Sequence, residues 1–227
     1  MKRHALFTRV WHWVNAAAVI VLFMSGLNIS NAHRYLYWGD YGFDPADAWT
    51  AVIRFPGWAT IPGYYSLAVA RDWHNLAAWF FAVALLAMWI NMLVTRHFTR
   101  NIMTAPREWK PSHLLTDIRA HLRGNYEANG AKYNTLQKIA YGMVFGVLLP
   151  MMVFTGLAIS PGFEPAAPWL VDMWGGRQSA RSLHFIVAWA VFAFVVLHVV
   201  MVVLSGASRQ IWGMIDGGDA EPEVTHD

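Results

Sequence analysis

Apolar and polar positions alternate along this chain on the scale of whole segments rather than single residues. From Leu183 to Leu204 it reads LHFIVAWAVFAFVVLHVVMVVL, 22 residues without Asp, Glu, Lys or Arg. About 20 apolar residues in a helix cross the hydrocarbon core of a bilayer, so a transmembrane helix is expected over 183–204. Three other blocks share this character, at about 10–29, 73–94 and 139–159. The first follows Met1-Lys2-Arg3-His4 as a signal peptide's apolar region would. It is longer than such a region and no A-x-A site follows, so a retained helix is expected. The third contains Pro150 with Gly142, Gly146 and Gly156, which membrane helices tolerate and which allow close approach. The predicted fold is all-α, an integral membrane four-helix bundle making one domain over residues 1–227.

The connections are polar or mixed. Asn31 to Ala70 is rich in Tyr, Trp, Gly and Pro and predicts short interfacial pieces and turns. Arg96 to Lys138 holds eight Lys or Arg, and its segment Ser112 to Arg123 puts Leu114, Leu115, Ile118 and Leu122 on one face. Interfacial helices are therefore expected in both longer loops. A shorter loop, PGFEPAAPWLVDMWGGRQSAR, precedes the last span, and the acidic tail 216–227 is expected to fray.

Composition sharpens the class. Hydrophobic residues make up 56% of 227, with 13 Trp, which suits a membrane protein better than a soluble domain. The net charge of +3 is small, and the basic residues sit in loops beside apolar blocks, so no nucleic-acid partner is implied. The absence of cysteine excludes disulfides, iron–sulfur ligation by this chain and CxxCH haem attachment. Five of the 17 Lys and Arg (Arg34, Arg54, Arg71, Arg177 and Arg181) fall on one side of a four-span plan, leaving 12 on the side of both termini. By the positive-inside rule both termini are cytoplasmic, in a bacterial inner membrane.

The last span carries His184 and His198. Fourteen residues come within about 40° of whole turns and span roughly 21 Å, so one helix face presents an imidazole near each membrane surface. Polar groups inside a bilayer are costly and usually meet a partner, and an axial bond to haem iron is such a role. The four-span plan places His12 at the depth of His198, and His74 at the depth of His184. Two bis-histidine haem b groups are the simplest chemistry, with His12 and His198 on the inner iron and His74 and His184 on the outer. Arg9, Arg71 and Arg181 each stand three residues before a histidine, one turn nearer the surface, where a guanidinium suits a propionate. His198 lacks that companion, since Arg209 is its only basic candidate.

Simpler roles compete with these. A lone membrane histidine is often only a hydrogen-bond partner between helices; four at two matched depths are harder to explain so. His4, His33, His97, His113, His121 and His226 read as loop or tail residues, with His33 the exception worth following because NAHRYLYWG lies near the upper pair. The Trp and Met content reads as interface belt and core filler.

RVWHWVNA at 9–16, RDWHN at 71–75, the 14-residue histidine spacing and the four-span plan together resemble the membrane cytochrome b subunits of nickel–iron hydrogenase, formate dehydrogenase and thiosulfate reductase. NAHRYLYWG at 31–39, KYNTLQKIAYG at 132–142 and GGRQSARSLHF at 175–185 are most similar to the thiosulfate reductase type. The resemblance implies a quinone-linked subunit that passes electrons between the membrane quinone pool, ubiquinone or menaquinone, and a periplasmic, molybdenum-containing oxidoreductase. It also implies a quinone near the inner haem, for which Asn15, Gln137 and Tyr141 are the polar candidates. No side chain makes or breaks bonds in that role. Other readings are a stand-alone di-haem superoxide:quinone oxidoreductase, a haem-free transporter or receptor, and a structural anchor.

Overall fold

The computed structural model describes residues 5–122 and 135–218. Helix α1 is Leu6–Ala32, α2 Leu67–Val94, α3 Pro111–Leu122, α4 Thr135–Met143, α5 Leu149–Ala158, α6 Pro168–Met173, α7 Arg177–Leu204 and α8 Ala207–Asp216. Among the described residues, α1, α2, α7 and the continuous run Thr135–Ala158 are the four helices long and apolar enough to cross a membrane. They form an all-α bundle whose outward faces are apolar: Trp79 is 72% exposed, Leu93 74% and Val203 60%. In water such surface would be hidden, so lipid is its solvent.

The third span bends the rules locally. Val144–Leu148 is a π turn, closed by the Leu149 N–H on the Val144 carbonyl. Pro150 has no N–H to give one turn back, which frees carbonyls in this stretch. The Phe145 carbonyl instead accepts Trp89 Nε1–H from α2 at 3.2 Å. Above and below this point the bundle is filled by Ala18, Phe81, Leu85, Val144, Leu149, Val187 and Val191, contributed by all four spans.

All four helices begin four to six residues before the expected limits. α2 begins at Leu67 because Ser66 caps it, accepting the Val69 N–H at 3.4 Å. α7 begins at Arg177, so RQSAR is its first turn and not a loop. That turn has no side-chain cap of its own. The N–H groups of Gln178 and Ser179 donate to the Gly39 carbonyl of the loop between α1 and α2, called outer after its expected side of the membrane, at 2.9 and 3.2 Å.

The outer loop corrects one expectation. Interfacial helices were expected in both longer loops, but this one holds a two-stranded ladder and two 3₁₀ turns. β1 (Tyr35–Leu36) pairs antiparallel with β2 (Thr50–Ala51), Tyr35 opposite Ala51. Two asparagines at the end of α1 explain it by supplying backbone partners from far along the chain. Asn28 Nδ2 donates to the Pro62 and Tyr64 carbonyls, and Asn28 Oδ1 accepts the Ser66 N–H. Asn31 closes a two-bond ring with the Phe55 peptide. A backbone satisfied in this way has no need of a helix.

The inner loop matches its expectation, with α3 covering most of 112–123 and exposing Leu115 and Ile118. Lys138 and Glu108 tie that loop to the third span at 2.8 Å. α8 was not foreseen. It turns back at Gly206, and its end carries the carbonyls of Met214 and Ile215 to α1, where Trp13 Nε1 and Arg9 Nη1 donate to them at 3.0 and 2.5 Å. The tail 219–227, His4, His226, Arg123 and residues 132–134 of KYNTLQKIAYG lie outside the described residues.

Candidate functional site

α7 brings its two histidines to two different neighbours. His198 faces His12 of α1, with ring centroids 6.3 Å apart, and His184 faces His74 of α2 at 6.2 Å. Imidazole nitrogen bonds a first-row metal at about 2 Å, so two rings on opposite sides of one metal have centroids roughly 6 Å apart. Both pairs fit that spacing. Among the described residues no group of three or more His, Cys, Asp and Glu is gathered to hold a bare ion; each level offers two imidazoles, the number of positions that a planar macrocycle leaves open.

The outer pair has a second layer of support. Ser25 Oγ lies 3.0 Å from His74 Nδ1, and Thr155 Oγ1 lies 2.9 Å from His184 Nδ1. Each hydroxyl donates to a carbonyl of its own helix, Ser25 to Val21 at 2.6 Å and Thr155 to Met151 at 2.5 Å. Its proton thus engaged, each accepts the Nδ1–H of the histidine, which leaves the Nε2 lone pair for a metal. Neighbouring glycines make room for the rings: a Cβ on Gly26 would stand 3.6 Å from His74 Cε1, and one on Gly156 3.4 Å from His184 Cε1. Ser25, Gly26 and Thr155 were missed in the sequence, and Gly156 was read there only as allowing close approach. A hydroxyl followed by glycine in the middle of an apolar run, in MSGLN and FTGLA, is the signal that marks them.

At the inner pair, Phe194 stacks on His198 with centroids 6.1 Å apart, and Trp13 meets His12 edge-on. His198 is exposed on the flank of the bundle, whereas the outer pair sits among four helices. Asn15 is buried one turn from His12; its Nδ2 donates to the Trp11 carbonyl at 2.9 Å, and its Oδ1 has no partner. Tyr141 packs with Trp11 and Phe145 around Met88, Met92 and Ile102, and Gln137 lies one turn earlier on α4.

The three arginines lie where expected along their helices but hold different partners. Arg9 reaches Ile215, and its buried Nε has no partner. Arg181 Nη1 donates to Gln178 Oε1 at 2.8 Å. Arg71 Nη2 donates to His33 Nε2 at 3.4 Å. Burial, then the Arg181 and Arg71 charges, hold the His33 imidazole below its usual range, so it is neutral near pH 7 and accepts from Arg71. The outer loop also reaches the site through Ser182, wholly buried two residues before His184, whose Oγ donates to the Tyr37 carbonyl and accepts Trp49 Nε1–H.

Facing imidazoles inside a membrane bundle, in a chain with no cysteine for thioether links, are the donor set of a membrane cytochrome of the b type. A family model described as prokaryotic cytochrome b561 matches residues 3–217, and the chain belongs to that family. It is 30% identical over 216 residues to a putative protein-methionine-sulfoxide reductase subunit YedZ1 of Azospira oryzae, an alignment covering 94% of this chain and 96% of that one. It is 24% identical over 202 residues to a probable Ni/Fe-hydrogenase B-type cytochrome subunit of Cupriavidus necator, covering 84% and 74%. A protein of the same description from Bradyrhizobium diazoefficiens is 27% identical over 224 residues, covering 92% and 81%. Membership implies haem b and a part in membrane electron transport.

Proposed function

We propose that this protein is the quinone-linked electron-transfer subunit of a respiratory oxidoreductase complex, carrying two b haems, one held by His12 and His198 and the other by His74 and His184. The observation that carries the reading is that a single helix, α7, offers one imidazole to each of two facing partners at ring spacings of 6.3 and 6.2 Å. Haem so ligated is a low-spin, one-electron carrier. The chain's own part is to fix the two levels on one rigid helix, roughly 21 Å apart, and to adjust the charge around each.

The inner end is the proposed quinone side. Asn15 has its acceptor oxygen to spare, which suits a quinol hydroxyl. Gln137 and Tyr141 remain candidates on the neighbouring span. The outer end is the proposed partner side, where the aromatic loop meets a periplasmic oxidoreductase subunit. The relatives' names speak of a reductase subunit and of hydrogenase cytochrome subunits, and the resemblance to the thiosulfate reductase type favours a molybdenum-containing partner. Both termini face the cytoplasm of a bacterial inner membrane in this reading.

The deciding measurement is the dithionite-reduced spectrum and redox titration of the purified chain. A b-type α-band resolving into two components is expected, with reduction by added quinol; absence of the band would end the haem reading. Arg71→Gln and Arg181→Gln should each lower the potential of the outer component with little loss of haem, because a cation near the site favours the reduced form. An unchanged potential in both would remove these residues from the propionate role. The outer cations also suit a small anion, so the purified chain should be assayed for superoxide oxidation without a partner. Turnover there would favour the stand-alone superoxide:quinone oxidoreductase.

A further inference from the structure

The hydroxyl contacts of the outer pair are part of a repeat. α1 contains Ser25-Gly26-Leu27-Asn28-Ile29-Ser30, and the third span ends in Thr155-Gly156-Leu157-Ala158-Ile159-Ser160. The following spans carry Arg71, His74, Ala78 and Trp79, and Arg181, His184, Ala188 and Trp189, at identical spacings. Each half thus offers a hydroxyl–glycine step on its first helix and an R-x-x-H-x-x-x-A-W face on its second. The structure repeats with the sequence: hydroxyl to Nδ1 at 3.0 and 2.9 Å, and glycine against Cε1 at 3.6 and 3.4 Å. Both hydroxyl residues are wholly buried. At the inner level the repeat is broken, since the residue 14 after His74 is Met88 and the residue 13 before Thr155 is Gly142.

We propose that Ser25 and Thr155 are a matched pair of positioning residues for the outer centre, each fixing its histidine as the Nδ1–H tautomer and each raising the basicity of that ligand by the same hydrogen bond. A buried hydroxyl whose own proton is committed to a carbonyl is a fixed acceptor, so the imidazole it faces cannot turn over or exchange tautomers without losing a bond. Acceptance from Nδ1–H makes Nε2 a stronger donor to the oxidised metal and holds the potential down. Because the two halves are built alike, the effect should be equal from either side. It should also be specific to the outer level.

The test uses the full-length, membrane-extracted protein. Ser25→Ala and Thr155→Val remove one hydroxyl each. The component missing from His74→Ala identifies the outer centre in redox titrations and in the low-spin EPR spectrum. Each single variant should raise the potential of that component by a similar amount, the double variant by about the sum, and the inner component should stay in place. Ser25→Thr and Thr155→Ser, which exchange the two natural residue types, should restore parental values. Loss of the outer haem in the apolar variants, recovered in the hydroxyl ones, would support the same conclusion. Parental potentials and EPR spectra in Ser25→Ala and Thr155→Val would overturn it, as would equal shifts at both centres or failure of the hydroxyl variants to restore. The inference rests on His74 and His184 being axial ligands. A parent without a b-type band ends that reading, whereas a two-component parent with an immobile outer component ends this inference alone.

Discussion

His198→Ala should halve the haem content of the purified protein and leave the outer component at its parental potential. The two levels share a helix but no side chain: His198 has His12 and Phe194 around it, His184 has His74 and Thr155. Between them lie apolar residues of all four spans, Ala18, Leu85, Val187 and Val191 among them. If each facing pair holds a haem as proposed, removing one imidazole would leave a single protein bond to the metal in place of two, and b-type haem would have no covalent link to hold it. His12→Ala should therefore give the same spectrum as His198→Ala, and His74→Ala the same as His184→Ala. Haem assay by pyridine haemochrome, with redox titration of each variant, reads both quantities. Full retention of haem in His198→Ala, or an inner loss that does not recur in His12→Ala, would refute the pairing.

Gly176→Ala should destabilise the start of α7. Gly176 has φ +106 and ψ 165, a conformation available to glycine and costly for any residue with a Cβ. The added carbon would also stand 2.5 Å from the Gly39 carbonyl and from Asp40 Oδ1, and the former is backbone that cannot swing away. That carbonyl is the acceptor for the first N–H groups of α7, so relief of the overlap uncaps the helix. Strain and lost capping together should cost at least about 2 kcal/mol, which for a chain of this size lowers the thermal midpoint by about 4–8 °C. Melting followed by α-band loss measures it. A midpoint within one degree of the parent would mean that the outer loop does not brace α7.

The four spans and their histidine levels were legible in the sequence because their signal is long: some 20 apolar residues, and a 14-residue spacing that repeats the helical period. Helix ends were less so. α2 and α7 extend six residues earlier than the apolar blocks, since Ser66 and the Gly39 carbonyl supply caps that hydropathy does not register. The outer loop was misjudged because its form is fixed by Asn28 and Asn31 through bonds to residues 24 to 38 positions away. α8 was lost to the proximity of an acidic tail, although ASRQIWGMID has a helical apolar face. The hydroxyl partners of the outer histidines were hidden for another reason. Which residue meets Nδ1 depends on the rotation of α1 and α5 about their axes, and only the repeated S/T-G-L-x-I-S makes that rotation visible.

The π turn at Val144–Leu148 bears on how this chain tolerates changes of length. In a regular helix, deleting one residue turns everything beyond it by about 100°, so Thr155 would leave His184 while Tyr141 stayed where it is. A π turn already holds one residue more than the α-helical path requires. Removing a single residue between Val144 and Leu148 should let the turn tighten to the ordinary period with both flanks still in phase. This is the one stretch of a span, among the described residues, where a gap in the chain is absorbed by the backbone and not passed on to the histidine beside it.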